Sequence, residues 1–239
     1  MNIVRSAVLA LLLASPVEPA AAAAAAAIPP SLAPIVLDPG HGGRDLGAIV
    51  GAEREKTIAF SIARLLKQDL SASGCAARLT RDGDLFVPLD RRVDDSLAWK
   101  GRAFVSLHLD EVDSSRPHGI TVYSFGPSLF RSGPRRGPPP PPRPAPPPRQ
   151  ARAGARLASA LTRALRLGGL PAQAPERSDF YVLKNPAMPS VLVELGYLSN
   201  PGEAARLGNP RYQERLAQAL AAGLRAYFSG SPKKGRAAR

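Results

Sequence analysis

Three short apolar runs in this chain each end on a side chain that can bind a metal or move a proton. They are Ile35-Val36-Leu37-Asp38-Pro39-Gly40-His41, Phe104-Val105-Ser106-Leu107-His108 and Val191-Leu192-Val193-Glu194. A short continuous apolar run closed by turn or polar residues is the pattern of a strand buried on both faces. Segments with helical spacing separate the runs. Ile58, Ile62, Leu65, Leu66 and Leu70 share one face after the first, and Leu216, Leu220, Leu224 and Phe228 share one after the last. Strands alternating with helices predict a three-layer αβα fold on a mostly parallel sheet. Sites in such sheets gather beyond the carboxyl ends of the strands. Two imidazoles and a carboxylate delivered to one sheet edge read as a metal hydrolase.

The remaining elements are weaker. Ala77–Thr80 and Gly119–Phe125 are expected strands, and Arg91–Trp99 and Ala151–Leu167 expected helices. Between Pro134 and Pro148 stand ten prolines interspersed with arginine and glycine. That density is incompatible with helix or sheet interiors and implies polyproline II or disorder. The sheet pattern resumes afterwards, so residues 131–150 read as a flexible Pro/Arg-rich insertion within one catalytic domain spanning 34–229. Residues 230–239 read as a basic disordered tail. Residues 1–27 carry an early Arg5, an apolar stretch from Ala7 to Ala14 and an alanine run, which together resemble a signal peptide. No later segment has the length and apolarity of a stable membrane span.

Charge narrows the partners. The formal net charge is +13, and most of the surplus lies in residues 131–156 and in the tail, leaving the rest of the chain nearly neutral. Such segments suit contact with acidic envelope polymers or anionic headgroups, or form a solvated linker and tail. No nucleic-acid motif is present, and nucleic acid is not an expected partner of an exported chain. The single Cys75 forms no internal disulfide and reads as a small buried hydrophobe.

Each candidate site residue has a plain alternative reading. His41 sits in a glycine-rich turn and could merely cap it. His108 ends a buried run and could be a satisfied core histidine. Glu55 opens a helix, where the dipole favours an acid with or without a metal, and Glu53 competes with it. Together, His41, Glu55 and His108 would make a metal site with an open fourth position, the arrangement of catalytic zinc. Glu194 ends an apolar run, where a carboxylate needs a cation or a raised pKa. That is the profile of a general base, or else of an acid paired with an arginine. His118, between Pro117 and Gly119, reads as a surface histidine in a turn.

Four stretches together resemble the zinc-dependent N-acetylmuramoyl-L-alanine amidases of the third amidase type. They are Ile35–Gly43 with Arg54-Glu55-Lys56; Leu79-Thr80-Arg81-Asp82 with Pro88-Leu89 and Arg91-Arg92; Phe104–His108; and Met188–Asn200. Leu46 departs from the pattern, which often has proline there, and so does Leu109-Asp110 after the second histidine. The resemblance implies a six-stranded sheet, Zn2+ on His41, Glu55 and His108, and Glu194 as the catalytic carboxylate. It also implies peptidoglycan as substrate, cut between N-acetylmuramic acid and L-alanine. It assigns no substrate-binding residue and no protein activator. The expected location is periplasmic, with extracellular as the alternative. Inserted helices of many periplasmic relatives cover the zinc, but Ala151–Leu167 carries no acid to do so, so an open site is expected. Two other readings fit the same residues: a zinc peptidase or carboxypeptidase cutting within the stem peptide, and an inactive peptidoglycan-binding module.

Overall fold

The computed structural model describes residues 33–51, 53–110, 114, 116–127 and 140–230. The proposed signal peptide, the first nine residues of the Pro/Arg-rich insertion and all but the first residue of the tail lie outside them. The elements run β1 (Ile35–Pro39), β2 (Ile49–Val50), β3 (Glu53–Arg54), α1 (Glu55–Ala72), β4 (Ala77–Leu79), α2 (Leu89–Ala98), β5 (Ala103–Asp110) and β6 (Thr121–Phe125). They continue with α3 (Pro148–Leu167), β7 (Glu176–Ser178), a single 3-10 turn (Tyr181–Leu183), β8 (Ser190–Tyr197), α4 (Pro201–Leu207) and α5 (Pro210–Ser229).

Six strands form one sheet in the order β4-β1-β5-β8-β6-β7. The first four are parallel; β6 runs antiparallel to β8, and β7 is parallel to β6. Side chains alternate faces along a strand, and here both faces are covered. Ile35, Leu37, Val105, Leu107, Val191 and Val193 enter the larger core, beneath α1, α3 and α5. Val36, Phe104 and Leu192 enter a smaller one with Val182, Leu183 and Met188, against which Leu97 and Trp99 of the α2 region pack. The apolar residues on both faces explain why these strands read as continuous runs. Cys75 is buried and free, and burial pushes its thiol pKa up.

Boundaries moved where turn chemistry prevailed. Helix α2 opens at Leu89, two residues before the expected Arg91, directly behind Pro88. Helix α3 opens at Pro148, inside the segment assigned to the insertion, because proline in the first helical turn removes an N–H that has no partner anyway. Just upstream, Arg143 is held by the Asp94 carboxylate at 2.5 Å and donates to the Tyr181 hydroxyl at 3.1 Å. No helix among the described residues is long and apolar enough to cross a membrane.

Candidate metal centre

Strand β1 breaks at Pro39, and the chain turns through Gly40 to His41, which holds φ at +56°. A non-glycine residue there needs external support. Two buried arginines supply it. Arg92 of α2 donates to the carbonyls of Val87, Pro39 and His41, the last at 2.7 Å. Arg81, just after β4, donates to the carbonyls of Pro39, Gly40, Gly83 and Lys56. Beneath the turn, the fully buried Asp38 accepts from Arg92 Nη1 at 2.7 Å, Thr80 Oγ1 at 2.6 Å and Ser106 Oγ at 2.7 Å. Burial alone would raise the Asp38 pKa. The Arg92 charge and these three hydrogen bonds outweigh burial and hold it below the usual carboxylate range.

The turn delivers His41 to the first residue of α1. His41 Nε2 lies 3.0 Å from Glu55 Oε2, and His108 Nδ1 lies 2.9 Å from Glu55 Oε1. The imidazoles meet edge to face with centroids 5.0 Å apart. One ligand atom from each of His41, Glu55 and His108 falls within 4.8 Å of the others, a group that could hold a metal ion. The imidazoles remain partly accessible, at 23% and 19%, while Glu55 is buried. Glu55 is fixed from behind by the N–H groups of Ala48 at 2.8 Å and Leu109 at 3.0 Å. Its pKa is lowered: burial opposes ionisation, but contacts with His108 and His41 prevail.

The other nitrogen of His41, Nδ1, lies 2.9 Å from Asp45 Oδ2, close enough to fix the ring although it is not an aligned hydrogen bond. A carboxylate behind a metal-binding imidazole sets its tautomer and raises its basicity. Burial lowers the His41 pKa, yet contacts with Asp45 and Glu55 push it up to about 9. Two glycines leave room for the group. A Cβ on Gly40 would fall 2.3 Å from the His108 ring, and one on Gly47 would fall 2.4 Å from Glu55 Oε2.

Glu194 lies beside His108 in the β5–β8 register and opposite Thr121 of β6. Its Oε2 is shielded from solvent and has no hydrogen-bond partner among the described residues. Burial, then the negative charges of Asp110 and Glu55, raise its pKa well above the ordinary value. A carboxylate kept so poorly satisfied beside three converging donors fits a cation and a reacting water.

A profile described as N-acetylmuramoyl-L-alanine amidase matches residues 35–226. The chain belongs to this amidase family. It is 34% identical over 223 residues to N-acetylmuramoyl-L-alanine amidase AmiC of Neisseria meningitidis serogroup B, covering 84% of this chain and 54% of that one. It is 30% identical to AmiA of Escherichia coli K12, covering 81% and 75%. The chain thus spans little more than half the length of several curated relatives it matches. Among solved structures, AmiC2 of Nostoc punctiforme superposes with a TM-score of 0.70 at 30% identity, covering 83% of this chain and 98% of that one. The catalytic domain of CwlV from Bacillus (Paenibacillus) polymyxa gives 0.68 at 30% identity, covering 82% and 98%.

Within this amidase fold, His41, Glu55, His108 and Glu194 all reach the edge named from sequence. Glu53 does not join them; its carboxylate lies towards Gly208 at the end of α4. His118 is exposed, with Nδ1 3.0 Å from the Arg116 carbonyl. Sequence reasoning passed over Asp45, Gly47 and the functions of Arg81 and Arg92. Asp45 had one usable signal, its place four residues after His41 in a glycine-rich turn.

Proposed function

We propose that the chain is a Zn2+-dependent hydrolase of the amide between N-acetylmuramic acid and L-alanine in peptidoglycan, releasing stem peptides. The observation that carries this reading is the convergence of three ligand atoms beside Glu194, whose buried Oε2 has no hydrogen-bond partner among the described residues. His41, Glu55 and His108 would hold the ion, a donor set that suits zinc with a position left open. When bound, zinc supplies Lewis-acid polarisation of the scissile carbonyl and makes a water acidic near neutral pH. Asp45 holds the His41 ring, and the N–H groups of Ala48 and Leu109 hold Glu55. Glu194 accepts the proton of the attacking water and returns it to the departing alanine nitrogen.

The working location is the periplasm, reached through the signal peptide in residues 1–27, with the extracellular face as the alternative. The site acts without an activator. This is supported by the partial exposure of both imidazoles and by α3, which packs on α5, β6 and β8. Mass spectrometry of muropeptides after digestion tests the reaction. A new free amine on L-alanine with intact glycan, abolished by a chelator, is expected. Cleavage within the stem peptide would favour the peptidase reading, and metal-free protein that binds without cutting would favour the binding module.

A further inference from the structure

Helix α3 carries Arg149, Arg152, Arg156, Arg163 and Arg166 and no acidic residue. All five are exposed. At 100° per residue they fall within an arc of about 100°, and at 1.5 Å per residue they extend about 25 Å along the helix. The opposite face carries Leu157, Leu161 and Leu165 into the core. The stripe is unfavourable to its own helix. Arg149 and Arg152, Arg152 and Arg156, and Arg163 and Arg166 are like charges at i,i+3 or i,i+4. Arg149 and Arg152 also stand at the N-terminal end, where the dipole disfavours cations. No salt bridge among the described residues joins any of the five to a carboxylate. Arg215 of α5, also exposed, donates across to the Gly168 carbonyl and extends the positive surface.

The stripe leads towards the catalytic edge. Beyond α3 the chain passes Leu170 to Ala172, which bridges Ile120 at the start of β6. The next residue, Thr121, is in register with Glu194.

We propose that this face of α3 is a second holding surface for peptidoglycan. It would grip carboxylates of stem peptides other than the one being cut; this rests on the amidase reading above. Arginine forks match carboxylates two bonds at a time. A polymer with carboxylates at intervals engages several arginines at once and stays near the site after each cut. A bilayer suits the surface less well, because the apolar face of α3 is committed to the core and leaves only Leu167 exposed to insert.

Co-sedimentation with purified sacculi tests the surface, using the full chain with Glu194→Gln so that the wall stays intact. Replacing Arg149, Arg152 and Arg163 together by Gln should weaken binding about tenfold, the product of three exposed ion pairs. The corresponding triple Lys variant should retain most binding, and sacculi with amidated carboxyl groups should bind the parent as poorly as the Gln variant. With Glu194 restored, the Gln variant should turn over a small soluble muramoyl peptide at the parental rate. Parental sacculus binding by the Gln variant overturns the proposal. So does loss of binding to phosphatidylglycerol vesicles with sacculus binding unmoved. If the parent cleaves no muramoyl amide yet holds sacculi through these arginines, the amidase reading fails and the surface stands.

Discussion

Replacing Arg92 by Met removes the cation hydrogen-bonded to the buried Asp38 and two donors to the turn that carries His41. Asp38 keeps Thr80 and Ser106, and Pro39 keeps Arg81, but the His41 carbonyl loses the Arg92 donor. Breaking a buried pair by deleting one partner costs about 3–5 kcal/mol. For a domain of this size that lowers Tm by about 6–20 °C. The penalty should be largest at neutral pH. In the parent, Asp38 has a lowered pKa, so its contribution is present above the unfolded value of 3.8 and is lost as pH falls through the lower folded value. In the variant the unpaired carboxylate titrates above its unfolded value, so protonation relieves it as pH falls and the gap between the two proteins narrows. Asp38→Asn in the same chain should recover about half the loss, since a neutral amide can be buried there with both hydroxyls satisfied. Thermal unfolding followed by circular dichroism at pH 7 and pH 4 measures all three proteins. A drop below about 2 °C at pH 7, or a double variant no more stable than Arg92→Met, would refute the account of Asp38 and Arg92 as a coupled pair.

Other consequences concern the site directly. Glu194→Gln should keep stoichiometric zinc by elemental analysis while kcat on purified peptidoglycan falls about 10²–10⁴-fold; a retained high rate removes Glu194 from the role of base. Asp45→Asn should weaken zinc affinity about 10–100-fold in a chelator competition, through loss of the group that orients His41. As the proposed base Glu194 must be ionised, so activity is expected to fall as pH drops through its raised pKa. Asp110→Asn removes a raising charge and should shift the acid limb of the kcat–pH profile to lower pH; an unmoved or upward-shifted limb contradicts it.

The amino-acid sequence alone determined the layered fold, because strands covered on both faces must be apolar throughout and helices covered on one face must repeat near 3.6 residues. Ile35–Leu37 and Val191–Val193 met the first condition, Phe104–Leu107 met it apart from Ser106, and α1 and α5 met the second. It also named the four residues that gather at the sheet edge: Glu55 opens α1, His41 follows β1 in the next turn, and His108 and Glu194 lie in the carboxyl-terminal halves of β5 and β8, which run on beyond the apolar runs. Elements held by partners rather than by their own pattern stayed hidden. Strand β7 is Glu-Arg-Ser, with no apolar alternation, and exists because β6 offers it a ladder. The reversal of β6 and β7 left no local trace either. At the site, Asp45, Gly47, Arg81 and Arg92 act on groups reached only through the folded chain, and contacts such as Arg92 to Asp38, 54 residues apart, have no periodicity to betray them. Local periodicity records which faces are buried; which charged group meets which carbonyl was settled by the sheet that brought them together.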